Sequence, residues 1–385
     1  MFRPTIHRCL PRRFPPPARP SASSPPPPPS PSSFSSRSPP ISSRYTTGGS
    51  DPISFRLTPH LTFVAGTLAL SLGGAAWYTN QDTLERSAGT GWWSRALSGG
   101  STAGLQSSLA RQRWEETYAS AAAAVRRVGE DNRLAIILAE NWVEMTEAKR
   151  ICAGLIAGFV GVWIAWRIPG RRVGEWLAHQ PLSGRAVTLL TSTFSHRTLP
   201  HLGFNSIALF SFSGATFAAL SHSDSDLLPR STSRYEFLAL FTTAGVLSAL
   251  ASHLWFSRVV AGGLLRRGLT TREVRSVILP SLGASGAVYA LVALTALSFP
   301  TTSVSLIFLP FFPLPIGLAT SCLVAVDLVG LLRGWRMFDH AAHLAGAAVG
   351  AAWFAGGHAA FERLRLAMWE GQKRRVQEQK RLSRA

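Results

Sequence analysis

Three clusters of polar residues stand at the mouths of long apolar runs. The stretch FDHAAHLAGAAVG, residues 338–350, sets Asp339, His340 and His343 at the start of a run of small apolar residues. Ionisable groups at such positions are costly to place, and so are functional candidates by default. His343 follows His340 by three residues and shares its helical face. Gly346 and Gly350 come next as a GxxxG pair, which lets a second helix backbone approach closely. In SLGASGAVYA, residues 281–290, Ser285 lies between Gly283 and Gly286. A serine in an apolar helix commonly bonds its own backbone, and position 287 is Ala, so this is not the GxSxG elbow of soluble hydrolases. In SHRTLPHLGFNSIALF, residues 195–210, His201 and Asn205 are one helical turn apart. Together these groups supply the parts of acyl transfer. Ser285 is the candidate nucleophile and His343 the base that takes its proton. His201, Asn205 and the Ser285 N–H are candidate donors to the oxyanion that forms.

The elements that must carry them are seven apolar segments, at about 60–78, 151–166, 202–220, 237–256, 277–298, 314–332 and 341–358. Each approaches the ~20 residues a helix needs to cross a bilayer. They are too long and continuous for barrel strands, and backbone in lipid must be one or the other. A helix starting near Val277 puts Ser285 about eight residues in, at a depth of ~12 Å. His343 and His201 enter from the same side. Three polar helix mouths at one depth make a wet cavity, which hydrolysis requires.

Composition agrees with an all-α membrane protein. The 385 residues are 46% hydrophobic and only 15% charged, whereas soluble domains average about a quarter charged. The net charge of +19 comes almost wholly from Arg. It is spread over the N-terminus, the loops and the tail rather than gathered on one face, which argues against nucleic acid. Cys9, Cys152 and Cys322 form no CxxC pair, so neither a disulfide framework nor a zinc ribbon is indicated. Residues 1–57 hold eight Arg, no Lys and one acid among many Ser and Pro. That composition fits a mitochondrial transit peptide, although the proline run at 25–29 cannot be helical. A first span at 58–79 is followed by a polar, partly helical connector at 80–149, in which no chemistry is legible. The helical core occupies 150–360 and a basic tail 361–385. Twelve Arg occupy the loops on the N-terminal side, against Arg230 and Arg234 on the other. The positive-inside rule then puts the N-terminus and the cavity in the matrix and the C-terminus in the intermembrane space, if the membrane is the mitochondrial inner one. The tail, with eight basic and three acidic residues at 362–385, runs against this.

The ordered set HxxxN, GxSG and a later His followed by xxGxxxG resembles the rhomboid intramembrane serine proteases. STFSH…HLGFN, SLGASGAVYAL, GWRMFDHAAHLAGAAVG, Trp166–Arg167 and IFLPFFPLPIG resemble the mitochondrial branch. The resemblance covers about 150–360. It implies a six-helix rhomboid core preceded by one extra transmembrane helix. It also implies a Ser285–His343 dyad without cofactor or metal, and an oxyanion site of His201 and Asn205. Gly283, Gly286, Gly346 and Gly350 are close-packing glycines in this reading, and His196 and His340 are supporting residues. Implied substrates are single-pass, membrane-anchored mitochondrial proteins; the oligomeric state is left open. Asp339 reads as a helix-start cap or a water-facing group and Asp327, mid-span, as a buried hydrogen-bonding group. Two alternatives stand beside this reading. One is a catalytically silent rhomboid-like protein that binds membrane clients. The other is a metal-dependent enzyme built on His196, His201, His340 and His343, although no HExxH occurs.

Overall fold

The computed structural model describes residues 56–87, 102–168, 173–221, 228–306 and 309–382. Apart from the final residues 56–57, the Arg- and Ser-rich leader lies outside them. The chain forms α1 (Thr58–Ser87), α2 (Thr102–Val128), α3 (Arg133–Glu144), α4 (Glu147–Ala165), α5 (Leu199–Ser221), α6 (Arg234–Leu254) and α7 (Ser285–Ser298). A hairpin of β1 (Ser303–Leu306) and β2 (Leu309–Pro315) follows, then α8 (Ile316–Arg333), α9 (His340–Ala352) and α10 (His358–Leu382). Wide π turns carry α6 on to Arg266 and join α9 to α10. Among the described residues, six helical stretches are long and apolar enough to cross a membrane: α1, α4, α5, α6 with its extension, α8 and the α9–α10 rod. The short apolar α7 is the seventh. The order is consistent with one helix preceding a six-helix core.

The antiparallel hairpin is the one β element among the described residues, paired Ser303↔Pro315, Val304↔Leu314 and Leu306↔Leu309. It departs from a wholly helical expectation for a local reason. Four prolines between Pro300 and Pro315 cannot donate the N–H that a helix interior requires.

The centre of the molecule is α7, whose residues Gly286–Val288 and Ala290–Ala296 are buried. Its 14 residues span about 21 Å, short of the ~30 Å hydrocarbon layer. Neighbouring helices rather than lipid therefore surround it. Leu209 of α5, Phe237, Leu240 and Phe241 of α6, and Phe159 of α4 pack with it in the main core. Here the structure corrects one expectation. No eight-residue helical lead precedes Ser285; Ser285 is the first residue of the helix. A separate short helix ends at Val277, and Ile278–Ala284 runs non-helically through Pro280 and Gly283. Gly283 has φ +126°, a conformation that side chains rarely tolerate. Hydropathy sees only that the segment is apolar, so it merges loop and helix.

Helix α1 is fastened to the core along its length. Val64 packs on Val246 and Leu250, Ala75 and Ala76 on Ala239 and Phe361, and Leu84 on Trp369 and Val376. Beyond the apolar contacts, Asn80 exchanges hydrogen bonds with Arg365: its amide donates to the Arg365 carbonyl at 2.8 Å and its oxygen accepts from Nε at 3.0 Å.

Candidate active site

The loop that precedes Ser285 is held from several sides. His179 and Ser281 pair backbone to backbone in both directions at 2.9 Å. The Gly283 N–H donates to the Ser192 carbonyl, and the Ala284 N–H donates to His196 Nε2 at 3.4 Å. Burial, followed by the neighbouring His201, pushes the His196 imidazole down to about 3, so it is neutral and free to accept. The His201 ring lies over Gly283, where a Cβ would come within 2.7 Å of Cε1 and Nε2. The loop then turns into α7 at Ser285. Helix starts leave N–H groups without intrahelical partners, and the Ser285 N–H is the first of these.

Opposite, α9 presents the imidazoles. Asp339 caps it, accepting from the Ala342 N–H at 3.1 Å through Oδ1. Its Oδ2 accepts from Ser252 on α6 at 2.6 Å and from Ser281 at 2.5 Å. One carboxylate thereby joins the helix that carries His343 to the loop that precedes Ser285. The backbones come equally close below: a Cβ on Gly346 would overlap the Gly286 carbonyl, and one on Gly350 the Ala290 carbonyl. On the far side of Gly286, a Cβ would fall within 2.6 Å of Ser248 Oγ.

This frame brings Ser285 Oγ to 2.9 Å from His343 Nε2. The other ring nitrogen, Nδ1, is 3.1 Å from Oδ1 of Asp327 on α8. A carboxylate only accepts, so Nδ1 carries the proton and Nε2 is left to accept from the serine hydroxyl. Asp327 is buried and takes two further donors, His340 Nδ1 at 2.6 Å and the Tyr289 hydroxyl at 2.6 Å. Gly330 makes room for the His340 ring, which a Cβ there would overlap. Tyr289 also stacks on His343, with centroids 4.3 Å apart and planes 11° from parallel. His343 is thus fixed in position, tilt and tautomer, while Ser285 remains partly exposed.

The Asn205 amide donates to the His201 carbonyl at 2.9 Å, which leaves its second N–H unspent. The four histidines do not assemble into one cluster: His340 and His343 share Asp327, whereas His196 and His201 lie against Ala284 and Gly283. Sequence reasoning offered a cap or a water-facing role for Asp339, of which the structure shows the cap, and a buried hydrogen-bonding role for Asp327. It missed that Asp327 faces His343, and missed Tyr289 altogether. Tyr289 had a readable signal, one helical turn after Ser285 on the same face.

Comparison with known proteins bears on the fold that holds this site. The rhomboid domain model matches residues 183–359, which contain all of these groups except His179. The chain carries a rhomboid domain. The mitochondrial presenilin-associated rhomboid-like protein of Homo sapiens is 33% identical over 220 residues, covering 56% of this chain and 51% of the human protein. Mitochondrial Rhomboid protein 1 of Saccharomyces cerevisiae is 27% identical over 210 residues, 53% of this chain and 52% of its own length. The mitochondrial RHOMBOID-like protein 12 of Arabidopsis thaliana is 29% identical over 223 residues, 56% and 60% respectively. The chain spans about half the length of the relatives it matches. With its apolar helices and this domain, the chain is similar to mitochondrial rhomboid-type membrane proteins.

Proposed function

We propose that this rhomboid protein is an intramembrane serine endopeptidase that cuts single-pass membrane proteins in or near their transmembrane segments. The observation that carries the reading is the 2.9 Å contact between Ser285 Oγ and a His343 whose other nitrogen faces a carboxylate. Ser285 Oγ attacks the scissile carbonyl carbon as its proton passes to His343 Nε2. The resulting oxyanion is met by the Ser285 N–H at the positive end of α7, by His201 and by the free N–H of Asn205. His343 returns the proton to the leaving amine, the C–N bond breaks, and an acyl-enzyme remains. A water then gives its proton to His343 and its oxygen to the acyl carbon; His343 passes that proton to Ser285 Oγ as the ester bond breaks, which frees the acid product and restores the dyad. No step calls on a cofactor. Asp327 and Tyr289 hold the imidazole, and Asp339 holds loop and helix together.

The Arg-rich loops support an inner-membrane arrangement with the N-terminus and cavity on the matrix side and the C-terminus in the intermembrane space. The test is cleavage of a model transmembrane substrate by the purified chain in liposomes. Cleavage lost in both Ser285→Ala and His343→Ala but indifferent to chelators supports the dyad. Cleavage that survives Ser285→Ala and stops with a chelator selects metal chemistry. A wild-type chain that binds the substrate and never cuts it selects the silent client-binding protein.

A further inference from the structure

The connector before the rhomboid core contains a helix with an unused face. None of the residues of α3 is buried. Successive positions turn by 100°, which sorts them into three faces. Arg133, Glu140 and Glu144 make a charged one. Ala135, Ile136, Ala139 and Val143 make a second, half-buried one, and α2 packs along this helix. Leu134, Ile137, Leu138 and Trp142 make the third and are 65%, 53%, 61% and 43% exposed; Asn141 lies among them, its amide donating back to the Ile137 carbonyl at 2.7 Å. This stripe runs about 12 Å along the helix.

Its position says what covers it. Only Met145 and Thr146 separate α3 from α4, a candidate span. Three Cα steps hold the two helix ends within about 11 Å. The junction is also fixed: Arg150 Nη1 donates to the Met145 carbonyl at 2.8 Å and to the Trp142 carbonyl at 3.3 Å, and Thr146 caps α4. Glu147, Lys149 and Arg150 end the charged sequence, and residues 151–166 carry no charge. The water boundary therefore falls at the first turn of α4, and Trp142 sits at the level where indole rings gather in membranes.

We infer that α3 lies on the bilayer surface at the α4 entrance, with Leu134, Ile137, Leu138 and Trp142 sunk into the boundary between headgroups and acyl chains and α2 covering its other side. The attraction is apolar burial rather than charge, because Glu130, Asp131, Glu140 and Glu144 outnumber Arg133. Anionic lipid is not needed. The inference rests on the span at α4 and not on the protease reading.

The test uses the full chain with Cys9, Cys152 and Cys322 replaced, in phosphatidylcholine nanodiscs. Single nitroxide labels are placed at Leu134→Cys, Leu138→Cys, Glu140→Cys and Glu144→Cys. Collision rates with oxygen and with a water-soluble nickel chelate are read by electron paramagnetic resonance. Labels at 134 and 138 are expected to favour oxygen over nickel several-fold more than labels at 140 and 144. The same depth is expected when half the lipid is phosphatidylglycerol. Water-like nickel access at all four positions overturns the inference. So does protection from both reagents, which means protein cover, and so does dipolar broadening removed by dilution with unlabelled chain, which means a second copy. Depth that appears only with phosphatidylglycerol overturns the apolar attribution.

Discussion

At the residue scale, the chemistry depends on how firmly one imidazole is held. His343 has Ser285 on one nitrogen, Asp327 on the other and Tyr289 across its face. Replacing Asp327 by Ala removes the acceptor that fixes the proton on Nδ1, so the ring samples the tautomer that cannot take the serine proton. General-base catalysis contributes about 10²- to 10⁴-fold; loss of part of it lowers kcat by about 10- to 10²-fold. KM stays nearly constant, because Asp327 makes no contact outside the protein's own groups. Steady-state cleavage of a fluorogenic transmembrane substrate reads both constants. An unchanged kcat would remove Asp327 from the proposed machinery. The Ser285, His343, His201 and Asn205 spacings were legible in the chain, since each lies in a short pattern that one helix displays. The Asp327–His343 contact was not. The two residues are 16 apart, on helices joined by a turn at Gly334 whose left-handed geometry decides which faces meet.

At the element scale, Ser285, the proposed nucleophile, is positioned by a loop that a helix-only reading did not anticipate. That loop is paired to His179, and His179 is part of a buried imidazole group. His179 Nδ1 lies 2.8 Å from Thr188 Oγ1, which itself donates to the Arg185 carbonyl. Thr188 therefore accepts, His179 carries its proton on Nδ1, and its Nε2 accepts from His253 Nδ1 at 3.0 Å. His60 of α1 stacks on His253 with centroids 4.1 Å apart. Burial first, and then the charges of His253 and His60, hold His179 well below the usual imidazole value. The sign follows: the unfolded chain binds a proton here near pH ~6.5 and the folded chain does not. Stability is full above that pH and falls as the pH drops below it. The melting temperature in detergent should decline from pH 7 to pH 5, with a shallower decline in His179→Gln. Equal slopes for the two proteins would contradict this role.

At the scale of the whole molecule, the N-terminal helix α1 is built into the helical core and is not an appendage to it. Hydropathy made α1 legible as a span. What tied it down was not legible, because the ties are polar groups far apart in sequence. Among the described residues, Arg230 bonds Glu236 at 2.7 Å and Glu362 at 2.5 Å, and Arg365 bonds Glu362 at 2.7 Å while holding Asn80 of α1. His358 and Trp353 also reach Glu236, at 2.7 and 3.1 Å. All of these side chains are buried. Arg365→Met leaves Glu362 paired with Arg230 but strips the Asn80 oxygen and the Pro229 carbonyl of their donor, and a buried polar group left unsatisfied should lower the unfolding free energy by about 1–3 kcal/mol. Limited proteolysis should then release α1 from the core before the core itself is cut. Unfolding as stable as the wild type would show that the apolar contacts alone hold α1.

The central claim is that the protein itself activates Ser285, and the most direct measurement is covalent. The purified chain in liposomes is treated with a fluorophosphonate, digested, and the modified residue located by mass spectrometry. The expected result is a single adduct on Ser285 that forms in the wild type, slows at least about 10²-fold in His343→Ala, and is absent in Ser285→Ala. An unmodified Ser285 in a folded chain, or labelling at the same rate without His343, would contradict it.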